Sequence, residues 1–219
     1  FSHYGKGDNA EVMDELRGLI MSKMTCLRLL CDDPQLLLVS ATKYDQGTIV
    51  TSNDGKTISM PGLQGGSGYA SELKALGLLD NIKQGPKLGV LKQYVDDFLS
   101  QYDGNKAVIF TSFVGMTKLI QETLPYKSVV YTGSMNAKQK EEAKVRFQTD
   151  PKVRVLVSSD AGGYGVDLPQ ANLLVNYDQP WSSGLAVQRN GRINRASSEW
   201  PTITIQDILV LDSIEQRQY

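Results

Sequence analysis

The sequence predicts an α/β fold in which a parallel sheet is covered by helices on both faces. From about residue 70 onward, short apolar runs rich in β-branched residues alternate with stretches of helical periodicity. Runs of this kind are typical of strands buried inside a parallel sheet, and their regular alternation with helices indicates strand–helix–strand units. A helical segment precedes this alternating region.

The first 70 residues have a different pattern. Between Asn9 and Cys31, apolar residues recur at spacings of three and four, and Asp8 or Asn9 is a candidate N-cap. The Asp33-Pro34 pair predicts the end of this helix, because the residue before proline avoids helical geometry. Residues 40–68 are dominated by Ser, Thr, Gly, Asn and Asp, which indicates turns and at most a short hairpin. We therefore expect a helical segment over 1–39, a turn-rich insertion or linker over 40–70, and a lobe over 71–219.

Within that lobe, each element can be assigned in order. The predicted helices are 86–101, 115–124, 136–149 and 184–196, and the predicted strands are 107–110, 128–131, 153–157, 172–177 and 203–211. In parallel α/β sheets, ligands bind beside the carboxyl ends of the strands. The loops after these strands are therefore the predicted location of the chemistry.

Composition excludes several classes of protein. The chain has 23 basic and 24 acidic residues, so a domain that holds nucleic acid by net charge alone is excluded. Two cysteines and one histidine are too few for a structural zinc site, and they favour a reducing intracellular setting. No apolar stretch approaches the roughly 20 residues that cross a bilayer, and the first nine residues do not resemble a signal peptide, so no membrane partner is expected.

A glycine-rich turn follows the strand at 153–157. Gly162, Gly163 and Gly165 lack side chains, which would let the backbone approach a phosphate or a ribose. One alternative is a dinucleotide-binding fingerprint with Asp178 as the ribose acceptor. Only about a dozen residues separate the two flanking strands, whereas a parallel crossover needs a full helix. A nucleotide-cofactor oxidoreductase is therefore the last of the alternatives.

The predicted helix at 184–196 carries three arginines. Arg189, Arg192 and Arg195 are spaced by three, which would place them on one helix face, and Gly191 lies beside that face. Glycine costs roughly 1 kcal/mol relative to alanine in a helix, so its presence suggests that a ligand comes close. Guanidinium groups suit phosphate oxygens because they bind two at once and keep their charge.

These features occur in a recognisable order. The segment 106–197 resembles the second RecA-like lobe of superfamily 2 motor ATPases, specifically the Swi/Snf-type DNA translocases. The matching stretches are 106–113 (motif IV), 131–134 with Lys140 and Phe147 downstream, 158–168 (motif V), 178–181, and 188–195 (motif VI). Upstream, 27–37 resembles the helix and proline turn that lead out of the first lobe, and 86–88 resembles the start of the second. The sequence departs from the family at Asn194, at 196–198 and at Lys140, which leaves the fine coupling between DNA and ATP open.

The resemblance implies roles for individual residues. ATP with Mg²⁺ would bind between two lobes, the first lobe holding the phosphates and the metal. Arg195 would act as an arginine finger and Arg192 as a second phosphate contact, a type of interaction that contributes on the order of 10³–10⁵ in rate. The other implied ATP-binding residues are Gly163, Gly165, Asp167 as a ribose acceptor, and Gln188. The resemblance implies double-stranded DNA held without base reading, and the implied contacts to it are Thr111, Ser112, Gly133, Ser134, Lys140, Ser159 and Trp181.

The parts that belong to a first lobe are not found in the sequence. A phosphate loop needs glycine, four residues, then glycine-lysine and a hydroxyl residue. Gly55-Lys56-Thr57 has Val50 at the position of the first glycine, and neither Asp32-Asp33 nor Asp96-Asp97 ends a strand. The expected partner is therefore a first RecA-like lobe of the same protein, without which this chain should not hydrolyse ATP.

Two further functions stay open at this point. A strand-separating superfamily 2 helicase shares the arginine segment, although the proline turn and the Thr-Gly-Ser loop favour a translocase. A catalytically inactive nucleic-acid-binding module would keep the fold but lose the motor, and the retention of Arg192 and Arg195 argues against it. The expected location is intracellular: cytoplasmic in a bacterium or phage, nuclear in a eukaryote.

Overall fold

The computed structural model describes residues 6–51, 57–60, 66–163 and 165–218. The chain divides into two compact units, residues 1–84 and 85–219. Tyr164 and the Gly55-Lys56 pair of the rejected phosphate-loop candidate lie outside the described residues. Among the described helices, none combines the length and the apolar character that crossing a membrane requires.

The first unit consists of helices and a hairpin. Its elements are α1 (Lys6–Asp32), α2 (Gln35–Gln46), β1 (Thr48–Thr51), β2 (Thr57–Met60) and α3 (Gly68–Ala75). Helix α1 ends at Asp32, as the Asp33-Pro34 pair predicts, but it begins at Lys6, so Asp8 and Asn9 lie inside it. The antiparallel β1–β2 pair confirms the hairpin. Helices α2 and α3 replace part of the turn-rich segment, because Leu36, Leu37 and Ala41 are buried on α2.

The second unit is built on a five-stranded sheet in which every strand pair is parallel. The strands are β3 (Ala107–Thr111), β4 (Ser128–Tyr131), β5 (Val155–Ser159), β6 (Leu173–Asn176) and β7 (Thr204–Asp207). Their order is β4-β5-β3-β6-β7. Strands β3, β5 and β6 are buried along their whole length, which explains their continuously apolar sequences. The predicted parallel α/β fold is confirmed.

Five helices belong to this unit. They are α4 (Lys87–Ser100), α5 (Val114–Thr123), α6 (Ala137–Thr149), α7 (Ser183–Asn190) and α8 (Ile214–Gln218). Helix α4 buries Leu88, Leu91, Val95 and Leu99, an apolar stripe at helical spacing. Helix α6 begins at a capping box in which Asn136 and Gln139 satisfy each other's backbone amides.

One helix and one strand are shorter than predicted. The prediction of a helix over 184–196 is wrong at its carboxyl end, because α7 stops at Asn190. The carbonyl of Arg192 accepts a hydrogen bond from the amide of Leu168 (3.0 Å), so the segment after Asn190 is held by a neighbouring loop and not by a continuing helix. Strand β7 covers only four of the predicted residues 203–211.

Candidate functional site

The loops after β3, β4, β5 and β6 meet at one edge of the sheet, because parallel strands place their carboxyl ends together. The register shows this: Thr111 of β3 pairs with Ser159 of β5, and Tyr131 of β4 pairs with Ser158. Every residue predicted from the sequence to bind ATP or nucleic acid lies at the last position of β3 or β5, in these loops, in α6 or in the segment around α7.

Asp178, which follows β6, holds the loop after β3. Its carboxylate accepts hydrogen bonds from the Thr111 hydroxyl (2.6 Å), the Ser112 hydroxyl (2.6 Å) and the Ser112 amide (2.7 Å). Thr111 and Asp178 are buried and Ser112 is partly buried. The Thr111 hydroxyl is therefore directed to a carboxylate inside the protein, and Ser112 is the more accessible of the two predicted nucleic-acid contacts.

Arg189 is buried beside Asp178 and joins three segments. Its guanidinium donates to the Asp178 carboxylate (3.1 Å), the Asp178 carbonyl (2.7 Å), the Ser112 hydroxyl (3.1 Å) and the Asp160 carboxylate (2.6 Å). Its side chain is 1% exposed. The prediction that the three arginines share one helix face is therefore wrong, because Arg189 points into the protein and α7 ends at Asn190.

Asp178 and Arg189 both stay charged although they are buried. Burial opposes ionisation of Asp178, but Arg189 and the hydroxyls of Ser112 and Thr111 outweigh it and lower the pKa of the carboxyl below its usual value. Burial likewise disfavours the charged form of Arg189, yet Asp178 and Asp160 raise its pKa. The pair is thus ionised at neutral pH.

The glycine turn after β5 is shaped by the protein itself. A Cβ at Gly162 would lie 2.2 Å from the Tyr131 carbonyl oxygen, and one at Gly163 would lie 2.6 Å from the Phe110 ring. Gly165 has a φ of 74°, a conformation that other residues rarely adopt. Packing against β4 and β3 leaves no room for a side chain at Gly162 and Gly163, and the backbone conformation favours glycine at Gly165.

Three of the predicted ATP-site residues line one small cleft. Gly163, Gln188 and Arg192 line it, together with Phe110, Asp160, Leu185 and Arg189. Arg192 is 9% exposed, so only a limited part of its side chain faces solvent. The glycine turn and the segment around α7, which the sequence predicts to act together, are adjacent here.

Arg195 and Asp167, two further residues of the predicted ATP site, contact each other. The Arg195 guanidinium is 3.3 Å from the Asp167 carboxylate, and both side chains are about half exposed. Arg195 also donates to the Gly191 carbonyl (2.6 Å). Because α7 ends at Asn190, Arg192 and Arg195 extend from turns and not from one helix face.

The remaining predicted nucleic-acid contacts form a second group. The Gly133 amide donates to the Ser159 hydroxyl (3.4 Å), and the hydroxyls of Ser134 and Thr132 are 2.9 Å apart. Gly133 and Ser134 are exposed, whereas Ser159 is buried. Lys140 on α6 places its ammonium 5.7 Å from the centre of the Tyr131 ring. Trp181 is half exposed and precedes the N-cap residue of α7, Ser182.

The part of the chain that the structure describes does not fit a magnesium site. In the described residues, no three His, Cys, Asp or Glu side chains come together in a way that could hold a metal ion. Asp160, the carboxylate in the cleft, is already engaged by Arg189. Arginine and amide groups suit phosphate oxygens, so the cleft matches the anionic part of a nucleotide better than a cation.

Comparison with known proteins identifies a family. The sequence profile described as "Helicase conserved C-terminal domain" matches residues 87–197, just over half of the chain. The DNA repair protein rad8 of Schizosaccharomyces pombe is 31% identical over 64% of this chain, and the uncharacterized ATP-dependent helicase YqhH of Bacillus subtilis is 33% identical over 56%. The matched parts represent 12% and 22% of these two relatives.

A solved structure shows the same fold. The C-terminal part of the Fun30 ATPase domain superimposes with a TM-score of 0.55 and 24% identity, covering 60% of this chain and 43% of that one. The match supports the RecA-like arrangement of the parallel sheet and its helices.

Proposed function

The chain belongs to the helicase conserved C-terminal domain family, and from that premise we propose that it forms the second lobe of a DNA-dependent ATPase that translocates along double-stranded DNA. It is a C-terminal RecA-like lobe of the Swi/Snf type within superfamily 2. The protein acts inside the cell, in the cytoplasm of a bacterium or phage host, or in the nucleus of a eukaryote.

One observation carries this proposal: Arg192, Gln188 and Gly163 line a common cleft at the carboxyl edge of the sheet. ATP with Mg²⁺ binds between this lobe and a first lobe that holds the metal. Arg192 contacts the phosphates, Gln188 orients the nucleotide, and the backbone at Gly163 and Gly165 lies against it. Fixed guanidinium groups stabilise charge that develops on the transferred phosphoryl group.

Arg195 is the proposed arginine finger, and Asp167 the ribose acceptor. They now form an exposed ion pair, which is a weak interaction of about 0–1 kcal/mol. Such a pair opens at little cost, so each side chain can exchange its partner for the nucleotide.

The nucleic-acid contacts lie in the loops after β3, β4 and β5. The exposed Ser134 hydroxyl is proposed to bind phosphate oxygens directly, and the Gly133 amide to do so in place of its long hydrogen bond to Ser159 (3.4 Å). Ser112, Lys140 and Trp181 complete the proposed surface, and the buried Thr111 supports it from inside through its hydrogen bond to Asp178. Hydroxyls and amides bind the DNA backbone without reading bases, which suits a motor that moves along any sequence.

The test is ATP hydrolysis by the full-length protein with and without double-stranded DNA. We expect Arg195→Ala to lower the DNA-stimulated kcat by on the order of 10³ or more, and Arg192→Ala to lower kcat and raise the KM for ATP. Arg217→Ala, an exposed arginine on α8, is the matched control and should keep the wild-type rate. Wild-type turnover in both site variants would contradict the proposal.

The same protein distinguishes the alternatives. Displacement of a third strand without unwinding of the duplex supports a translocase, whereas unwinding supports a strand-separating helicase. Absence of hydrolysis in the full-length protein supports an inactive binding module. The isolated 219-residue chain should not turn over ATP, and turnover that Arg195→Ala abolishes would refute this expectation.

A further inference from the structure

We propose that Asp178 and Arg189 form a buried tie that couples the nucleic-acid loop after β3 to the ATP cleft. Both are positioning residues, since neither is proposed to touch ATP or DNA. The inference rests on the proposed function and adds to it a physical connection between the two binding regions.

The first half of the tie is Asp178. Its fully buried carboxylate accepts three hydrogen bonds from the loop after β3, two from Ser112 and one from Thr111, and a fourth from Arg189. Ser112 therefore cannot move without changing the geometry of Asp178. A phosphate that binds to Ser112 competes for the hydroxyl that now donates to Asp178.

The second half is Arg189. Besides Asp178 and Ser112, its guanidinium holds Asp160 at 2.6 Å, and Asp160 lines the cleft together with Gln188 and Arg192. One planar group thus contacts the loop after β3, the segment after β6 and the turn after β5. A shift of any one of them changes the hydrogen-bond directions available to the other two.

The chemistry of the tie suggests more than stability. A buried ion pair can often be replaced by apolar groups of similar volume without loss of stability. This group has instead two carboxylates around one guanidinium, and one of the carboxylates, Asp160, is 18% exposed at the cleft. A contiguous network of this kind can carry coupling between the DNA-binding loop and the ATP cleft. The test of that role is whether a substitution in the network changes the coupling.

The experiment measures ATP hydrolysis by the full-length protein with and without linear double-stranded DNA. Asp178→Asn removes the charge and keeps the shape, and Arg189→Lys keeps the charge but removes the planar fork. For both we expect the stimulation by DNA to fall at least about fivefold, the lower end of typical coupling between sites. For both variants the rate without DNA should fall by a smaller factor than the rate with DNA. Asp150→Asn removes a partly exposed carboxylate paired with Lys127; this control should leave stimulation unchanged.

The outcomes separate the two proposals. A wild-type protein that DNA does not stimulate contradicts the proposed function and the tie with it. Normal DNA stimulation in both variants, or an equal loss of the rates with and without DNA, overturns the tie alone. If the variants do not fold, amide exchange of the wild-type protein decides: a non-hydrolysable ATP analogue should change exchange at 112–114, and its failure to do so overturns the inference.

Discussion

Asp178 shows how a single residue can hold a charge inside the protein. Its four donors replace the water that burial removes, and the pKa of the carboxyl lies below its usual value in consequence. A carboxyl whose pKa is depressed on folding stabilises the protein at pH above its unfolded pKa of about 3.9, and this stabilisation is lost as the pH falls through the folded pKa.

The depressed pKa of Asp178 predicts how the stability of Asp178→Asn, relative to the wild type, changes as the pH falls. At pH 7 the substitution leaves the buried Arg189 with one carboxylate fewer, and we expect a loss of about 3–5 kcal/mol in the free energy of unfolding. Below about pH 4 the Asp178 carboxyl of the unfolded wild-type chain takes up a proton, which stabilises the unfolded state, so the difference between the two proteins should narrow. Urea unfolding at pH 7, 5, 4 and 3 measures it.

The quantity to follow is the difference in the free energy of unfolding between the wild type and Asp178→Asn, because other carboxyls titrate in the same pH range. Lys74 and Lys127 lower the pKa values of Asp45 and Asp150, respectively, and both groups are present in the wild type and in the variant. Their contributions cancel in the difference. A gap that stays constant from pH 7 to pH 3 would show that the charge of Asp178 does not stabilise the fold.

Gly162 permits a second prediction at this scale. Its Cβ position is 2.2 Å from the Tyr131 oxygen and 2.7 Å from the Thr132 Cα, main-chain atoms that cannot turn aside. Gly162→Ala should therefore cost about 1–3 kcal/mol. Gly89→Ala is the matched control: no atom lies within 4 Å of its Cβ position in α4, and a gain of about 0.5–1 kcal/mol is expected. Thermal unfolding of both variants checks the opposite signs.

At the scale of elements, the sequence predicts best what is local. Strands β3 and β5 are read from apolar runs, and α4 from an apolar stripe, because burial imposes these patterns on neighbouring residues. The end of α7 is not local. It depends on the bond between the Leu168 amide and the Arg192 carbonyl, which joins two loops and leaves no periodic signal in either.

Helices α4 and α8 are joined by an ion pair that periodicity also does not reveal. Lys87 and Glu215 are 2.5 Å apart with both side chains 2% exposed, and Glu215 also accepts the Val210 amide. Glu215→Gln removes the carboxylate that pairs with the buried Lys87 ammonium, so we expect a loss of about 3–5 kcal/mol in the free energy of unfolding. Denaturant unfolding at pH 7 measures this loss.

The control for that substitution lies on α5. Lys118 and Glu122 form an exposed pair at helical spacing, 3.6 Å apart, and Glu122→Gln should change the free energy of unfolding by no more than about 0.5 kcal/mol. If the two glutamine variants have similar stability, the α4–α8 pair is not a structural link, and the C-terminal helix is held by other contacts.

At the scale of the whole molecule, the fold was more predictable than the interior of the site. Gly163, Gln188 and Arg192 were predicted as a group from the order of motifs, and they do share a cleft. The inward role of Arg189 was not found. Its partner Ser112 is 77 positions away and Asp160 is 29 positions away, so no spacing within the arginine segment indicates them. The sequence did contain one signal for the acidic partners of Arg189: Asp160 follows β5 and Asp178 follows β6.

The division of the chain at residue 84 leads to the last prediction. The unit formed by residues 85–219 contains the complete five-stranded sheet, its own buried core and every residue of the tie. In the unit formed by residues 1–84, residues 12–20 of α1 are exposed throughout, including Val12, Leu16 and Leu19.

Because a domain of about 50–200 residues with its own core can fold alone, the fragment 85–219 should unfold cooperatively, as followed by circular dichroism. The Gly162→Ala substitution should then lower the Tm of the fragment and that of the whole chain by similar amounts, since its neighbours Tyr131 and Thr132 are present in both. A fragment that melts without cooperativity would show that residues 1–84 are part of its folding unit.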